Sequence, residues 1–486
     1  MDAESSESLD LIESHVFESK WWTPQLAGPV IAAAVVRLGL LAVLLVRFGI
    51  GVLFQSDTAS YLEPGRNLLL HGRFIADGVP DLVRTPGYPL FLALTSLAGF
   101  PAAAVANVLL SVFSVILVWR LGWVVFREER IALIAAWFFA FEPLTLIFSS
   151  VLLSEMLFLT LFLLCMERLA EFLRGRRLRV LAAAGLWLAA ATLVRPITYY
   201  LPVVLALGVF VALVRVPGLR WKAPVVLLIS AMPWLAAWQM RNWVETGYGG
   251  MSSVSEINLY FDVAADVTAR LQQRPFLDVR SELGYSDFDN YSGQVYFTRQ
   301  YLARNPEQAG WTQGERLAFM HSAALRVIRA HYGVFLRSCA DSLVKTIIEG
   351  GYFHSLTIPE TSKHIAAIRG EGLHGGIIAI ARANPWITAG KVILYLAMFG
   401  IYLFAAWGIF RRGIRNEYRW LLLGTLLYLV IISVVGTGGS PVARLRLPIM
   451  PLVCILAAAG LPLPKARAKS ESTGAIAEAA AQRVDA

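Results

Sequence analysis

A helix of about 20 mostly apolar residues can cross a bilayer, and this chain contains one such run after another. Ten can be read, at approximately 29–53, 103–126, 131–148, 150–172, 180–195, 197–214, 223–240, 391–410, 420–436 and 444–462. Composition agrees: of 486 residues, 57% are hydrophobic and only 16% are charged, whereas soluble domains carry about a quarter charged residues. Much of the surface therefore does not face water, which excludes an ordinary soluble enzyme. The expected fold class is an all-α polytopic membrane protein with about 10 transmembrane helices.

The 43 Lys+Arg against 34 Asp+Glu, a net charge of +9, would suggest nucleic acid in a soluble protein. In a membrane protein the placement of charge decides its meaning. Here the basic residues gather in short loops: RGRRLR at 174–179, the stretch 215–222, RRGIRNEYR at 411–419, KARAK at 465–469 and the mixed REER at 127–130. With ten spans all of these share one face, which is the cytoplasm by the positive-inside rule, and both termini lie inside. No nucleic-acid partner is expected. The acidic leader before Trp21 lacks the short, basic form of a cleavable signal peptide, so the first span is expected to be retained. Short cytoplasmic loops and the lack of a retention signal favour a bacterial inner (plasma) membrane.

The expected organisation is a cytoplasmic segment 1–28, a transmembrane core 29–240, an external (periplasmic) loop region 241–390, transmembrane helices within 391–462 and a disordered cytoplasmic tail 463–486. The apolar piece 88–100 is short for a span, and counting it would move REER and RGRRLR outside. It is read as an external juxtamembrane helix within a first external loop, 55–101. In the large external loop, Thr312 and Glu315 have capping-box spacing. They precede apolar residues at helical intervals (Leu317, Met320, Ala324, Val327, Phe335, Cys339), predicting an amphipathic helix to about Ile348 that packs on the membrane or on the rest of the loop. Cys165, Cys339 and Cys454 are far apart and without CxxC spacing, so they are read as packing residues. His354, His364 and His374 lack metal-ligand spacing. No Walker, GxGxxG or HExxH pattern occurs. A divalent metal has no support in the sequence, and no cofactor is assigned.

Polar groups that persist at span ends are functional candidates. At the external ends stand Asp57, Arg84, Glu142, Glu155, Arg195, Arg241, Arg444 and Arg446. Carboxylates facing arginines suit displacement of a phosphate leaving group by a hydroxyl: the carboxylate takes the proton, and guanidinium groups bind the phosphate. The alternative is that the arginines serve headgroups, helix C-termini and neighbouring carboxylates.

Order along the chain adds a resemblance. SDTASYLEPGRNLLLHGRF (56–74) and VRTPGYPLFLAL (83–94), followed by SSVLLSEMLF (149–158), LVRPITYYLP (193–202), PWLAAWQMRNWVETG (233–247), INLYF (257–261) and ARLRLPIMP (443–451), resemble the GT-C glycosyltransferases that use lipid-phosphate sugars. The likeness is to the branch with protein O-mannosyltransferases and the bacterial transferase that puts aminoarabinose on lipid A. It implies that Asp57 is the catalytic base, that Arg84 contacts the donor phosphate and that Glu155 helps shape the active site. Arg241 and Asn242, and Arg444 and Arg446, match positive positions near the donor cavity. The sequence departs from the family in lacking a second acidic residue beside Asp57, so a metal-binding acidic pair is absent.

Individual residues keep alternatives. Asp57 could instead cap a juxtamembrane helix. Tyr61 and Arg66 share a helical side with it and could line a sugar site or anchor the helix. Tyr88 is an interface aromatic with sugar stacking as a second role, and Arg195 sits at a tight turn before Pro196. Within the first span, Arg37 is read as reaching toward cytoplasmic headgroups and Arg47 toward an outer lipid phosphate. The resemblance implies a glycosyltransferase moving a sugar from a polyprenyl-monophosphate donor to a hydroxyl on a lipid, glycan or protein acceptor, with inversion, among membrane lipids. A transporter or flippase of a lipid-linked glycan, and a surface-polysaccharide ligase or polymerase, are the competing readings.

Overall fold

The computed structural model describes residues 21–55, 57–285, 302–303, 305–348, 385–411, 414–436 and 443–462. His354, His364, His374 and the tail 463–486 lie outside the described residues.

All ten apolar runs are helical over most of their length. In chain order the elements of the first half are α1 (Ala27–Phe48), α2 (Ala59–His71), a short hairpin of β1 (Ile75–Ala76) and β2 (Val79–Pro80), α3 (Gly87–Thr95), α4 (Phe100–Phe126), α5 (Glu129–Ala140), α6 (Pro143–Ser149), α7 (Glu155–Gly175), α8 (Leu178–Val194), α9 (Leu201–Ala212) and α10 (Lys222–Thr246). Then come α11 (Val254–Asn258), a π-helical turn Leu259–Ala264, α12 (Ala265–Gln272), α13 (Phe276–Glu282), α14 (Gln313–Ala330), α15 (Tyr332–Ile348), α16 (Pro385–Gly408), α17 (Asn416–Val435), a 3-10 segment Ala443–Ile449 and α18 (Met450–Gly460). Among the described residues four helices are long and apolar enough to cross a membrane: Pro24–Phe48, α4, α10 and α17. The pair α5 and α6, bent by 55°, would make a fifth. The protein is a multi-pass membrane protein built almost wholly of helix.

The core is one apolar cluster running through α1, α4, α5, α7, α8 and α18, with Trp119, Phe158, Phe162 and Phe172 fully enclosed. The long lipid-length helices keep apolar side chains exposed on their outer faces, among them Val46, Leu109, Ile229 and Trp420. That pattern is the one expected where lipid replaces water as solvent.

The bend between α5 and α6 explains Arg37. Pro143 has no N–H to donate to the Phe139 carbonyl four residues back, so the helix cannot continue. Arg37 is fully buried. Its Nη1 donates to the Ala140 carbonyl at 2.7 Å, its Nε to Ser111 Oγ at 2.7 Å and its Nη2 to Thr145 Oγ1 at 3.2 Å. Glu142 closes the other side by accepting the Thr145 N–H at 2.7 Å. The expectation that Arg37 reaches toward headgroups is thus corrected: a guanidinium inside the span supplies hydrogen bonds that a broken helix leaves unmade. Arg47, by contrast, is exposed.

The loop region 241–348 folds around a second, smaller core in which Leu317, Met320 and Ala324 of α14 meet Tyr248, Ile257, Tyr260, Phe261 and Leu82. The capping box is present at Thr312 and Glu315. The single helix expected to Ile348 is broken at His331, which leaves helical geometry between α14 and α15. The amphipathic face of α14 packs on the rest of its own loop.

Candidate active site

Four local devices bring distant residues to one end of the bundle, the end opposite the basic loops. First, the run read as a span from 150 begins its helix only at Glu155, and the turn before it is laced to the end of the first span. The Leu152 N–H donates to the Leu53 carbonyl at 2.9 Å, Thr58 Oγ1 donates to the Leu152 carbonyl at 2.9 Å, and Asn107 Nδ2 to the Val151 carbonyl at 2.7 Å. Asp57 and Glu155 are thereby held on neighbouring chains. Second, Arg195 precedes Pro196, which disfavours helical geometry. It is extended, with φ −143° and ψ 119°, and its side chain leaves the axis of α8 toward Glu155.

The third device is close approach at two glycines. A Cβ on Gly65 would stand 2.2 Å from the Pro89 carbonyl oxygen, and one on Gly87 would stand 2.8 Å from that of Leu193. Only residues without a side chain let α2, α3 and the end of α8 meet this tightly. The fourth is the segment 81–84, which carries Arg84 and whose backbone is paired on both sides as described below.

The result is a chain of ion pairs. Asp57 Oδ1 accepts Arg84 Nη2 at 3.0 Å, and its Oδ2 accepts Arg444 Nη1 at 2.5 Å. Arg444 Nε stands 3.9 Å from Glu155 Oε1, which also pairs closely with Arg195 Nη1. Arg84 Nε donates to Ser60 Oγ at 2.8 Å and its Nη1 to Tyr61 Oη at 3.3 Å, with the guanidinium carbon 4.5 Å from the Tyr61 ring centre. Tyr61 Oη lies 3.4 Å from Ser154 Oγ. Among the described residues the cluster brings together three guanidinium and two carboxylate groups. The Asp57 side chain is 17% exposed and that of Arg444 23%, so the cluster is half-buried rather than sealed.

Burial alone would raise the Asp57 carboxyl, but Arg444 and Arg84 together hold it far below the usual carboxylate range. Asp57 is not a helix cap. Thr58 occupies the N-cap of α2 without a side-chain cap bond, which removes that alternative.

No protein-family profile matches the chain, and no curated protein does. The chain is similar to solved structures of an archaeal oligosaccharyltransferase and of ArnT. The oligosaccharyltransferase of Archaeoglobus fulgidus in the apo form has a TM-score of 0.44 at 12% identity, over 91% of this chain and 50% of that one. Archaeal oligosaccharyltransferase AglB from Archaeoglobus fulgidus, in complex with an inhibitory peptide and a dolichol-phosphate, has 0.44 at 14%, over 93% and 54%. ArnT from Cupriavidus metallidurans bound to undecaprenyl phosphate has 0.36 at 13%, over 89% and 77%. The chain spans about half the length of the archaeal proteins.

Of the residues singled out in the sequence, Asp57, Tyr61, Arg84, Glu155, Arg195 and Arg444 come together. The others do not join them. Arg66 lies on the exposed side of α2, away from Tyr61, because five residues is not a helical repeat. Tyr88 is fully buried beneath Tyr61, ring centres 4.8 Å apart, and presents no surface for a sugar. Arg241 Nη1 donates to the Asp81 carbonyl at 2.8 Å and its Nη2 to the Phe74 carbonyl, with Trp238 and Phe74 rings beside it. Asn242, fully buried, donates to the Gly250 carbonyl at 2.8 Å and latches the turn after α10. Arg446 donates to the Ile347 carbonyl at 2.7 Å, in the last turn of α15. These last three bind backbone carbonyls of their own protein, the structural alternative raised above.

Among the described residues no group of three or more His, Cys, Asp or Glu side chains could hold a metal ion. Sequence reasoning missed Ser60 and Ser154, whose hydroxyls touch Arg84 and Tyr61. It also missed Asp81, fully buried; small polar residues in a loop carry no periodic signal.

Proposed function

We propose that the protein is a membrane-embedded glycosyltransferase whose active site is the Asp57 cluster, facing outside the cell, and whose donor is a polyprenyl monophosphate sugar. The observation that carries this reading is Asp57 held between Arg84 and Arg444 in a half-open cluster. A sugar phosphodiester carries one negative charge. The arginines suit it by charge-assisted, bidentate hydrogen bonds.

The acceptor hydroxyl oxygen attacks the anomeric carbon from the face opposite the phosphate. The bond from that carbon to the phosphate oxygen breaks, and the polyprenyl phosphate leaves with the electron pair. The hydroxyl proton passes to Asp57. Charges stay balanced through this step: the phosphate becomes a dianion as Asp57 is neutralised. Held by two arginines, Asp57 is a weak base. Donor binding draws Arg84 and Arg444 toward the phosphate, which releases the carboxylate and raises its basicity at the moment it is needed. Anomeric configuration inverts in a single displacement.

A carrier of a lipid-linked glycan would need anion sites along a path. Among the described residues the half-open arginine–carboxylate cluster around Asp57 lies at one end of the bundle, which favours chemistry over carriage. The purified full chain, given a radiolabelled polyprenyl-phosphate sugar and a hydroxyl acceptor, is expected to transfer label. Asp57→Asn should lower the turnover by about 10²–10⁴ while donor binding persists. Transfer by Asp57→Asn at the wild-type rate would remove the assignment of the base.

A further inference from the structure

The segment 81–84 is neither helix nor strand, yet Asp81, Leu82 and Val83 are almost wholly buried. A buried backbone without regular structure must find its hydrogen-bond partners elsewhere, and six of them are found here. The Asp81 N–H donates to the Phe74 carbonyl at 3.1 Å, and the Asp81 carbonyl accepts Arg241 Nη1 at 2.8 Å. The Leu82 carbonyl accepts the Ser253 N–H at 2.8 Å, and the Val83 carbonyl accepts Ser252 Oγ at 2.7 Å. Two further donors are the N–H groups of Val83 and Arg84. Both go to one oxygen, Asp81 Oδ1, at 2.7 and 3.0 Å. Leu82 meanwhile points into the core formed with α14. The chain is thus fixed immediately before Arg84, whose guanidinium reaches Asp57, Ser60 and Tyr61.

We infer that Asp81 is a positioning residue: by accepting both N–H groups it sets the turn that aims the Arg84 guanidinium at Asp57 and, on the reading proposed above, at the donor phosphate. It touches neither group itself. The second oxygen, Oδ2, is buried without a hydrogen-bond partner. The charged groups facing this carboxyl are Arg84 from its own segment and Arg241 from α10, the latter also paired with Glu245 at 2.9 Å. Burial, offset in part by the two N–H groups and these two arginines, pushes the carboxyl up to about 7. Its work is therefore done by one acceptor oxygen, whichever charge state the other carries. An asparagine offers the same acceptor in the same shape, whereas alanine offers none.

The test reads Arg84 directly. The full chain in nanodiscs is treated with phenylglyoxal, and adduct formation at Arg84 is followed by peptide mass spectrometry, with exposed Arg47 as the internal reference. Asp81→Ala is expected to raise the Arg84 rate about fivefold or more, and Asp81→Asn to leave it within twofold of wild type. Equal Arg84 rates in all three proteins would overturn the proposal, as would an Asn variant that behaves like Ala. Binding of radiolabelled polyprenyl monophosphate to the same samples separates this inference from the function. Asp81→Ala should weaken it about tenfold, and add less than twofold in an Arg84→Gln background. The same loss in both backgrounds would mean that Asp81 does not act through Arg84. Absence of binding by the wild type, with the Arg84 rates still changing as stated, would strike the donor reading and leave the positioning role standing.

Discussion

Helix α7 carries an arginine–carboxylate cluster near each end, and the two differ at their centres. Glu155 and Glu167 lie on the same helix, about 18 Å apart along its axis at 1.5 Å per residue. Around Glu167, Arg120 Nε donates at 3.0 Å and Arg168 Nε stands at 2.9 Å, while Arg168 also pairs with Glu171 at 2.6 Å. Trp21 lies over the group, its ring centre 3.4 Å from the Arg120 guanidinium carbon, and Arg120 and Glu167 are 2% and 0% exposed. Arg168 and Glu171 at its rim are 20% and 17% exposed, comparable to Asp57 and Arg84 at 17% and 13%, so both clusters reach the surface. The Arg120–Glu167 pair is enclosed under Trp21, whereas Asp57, between Arg84 and Arg444, is itself partly exposed. That difference makes the Asp57 end the candidate site.

The largest effect that would sharpen this contrast is on stability at the sealed end. Glu167→Gln removes the buried carboxylate that Arg120 and Arg168 share; breaking a buried pair costs roughly 3–5 kcal/mol. The thermal midpoint of the purified protein should fall by many degrees, whereas transfer per folded molecule should hardly change. A normal midpoint combined with lost transfer would erase the distinction between the two ends.

At the open end the order reverses. Arg444→Gln removes one charge-assisted hydrogen bond to an anion, worth about 1.5–3 kcal/mol, so the donor KM should rise on the order of tenfold to a hundredfold. The melting midpoint should fall less than in Glu167→Gln, because Arg84 still pairs with Asp57. Trp21→Ala is the mildest of these changes. Loss of the cation–π contact costs on the order of 1 kcal/mol, readable as a small drop in midpoint with KM and turnover unaltered.

Acid titration separates the two aspartates of the site region by sign. Asp57 is held below its unfolded value, so its contribution to stability is present above the unfolded pKa, near 4, and is lost as pH falls through that range. Asp81 is raised to about 7. Its penalty is absent below the unfolded pKa, grows as pH rises and is fully present above 7. Asp81→Asn should therefore raise the midpoint relative to wild type more at pH 8 than at pH 5, a difference that differential scanning calorimetry can measure.

Much of the fold was legible because bilayer-length apolar runs are a strong signal: each of the ten became helix. What the pattern could not show is where a run breaks. Pro143 marks one break in plain sight, but the donor that satisfies it, Arg37, lies in another span and looked like a stray charge. His331 has no sequence mark as a breaker at all. At the site, Asp57, Arg84, Glu155, Arg195 and Arg444 were found because charges at span ends are rare. Arg241, Asn242 and Arg446 met the same criterion, yet they bond to backbone carbonyls. Telling an arginine that awaits a ligand from one that closes a helix or loop requires knowing which carbonyls the fold leaves unpaired, and that is a property of tertiary structure. Asp81 escaped for the converse reason. Its role is defined by two N–H groups of its own loop, which no composition or spacing reveals.

The central claim is that the open cluster holds a lipid phosphate. Native mass spectrometry of the full chain released from membranes tests it most directly, comparing the wild type with Arg84→Gln/Arg444→Gln after addition of a polyprenyl monophosphate. The account predicts a bound polyprenyl monophosphate on the wild type and little or none on the double variant, with both proteins folded. Equal occupancy of the two proteins, or none on either, would contradict it.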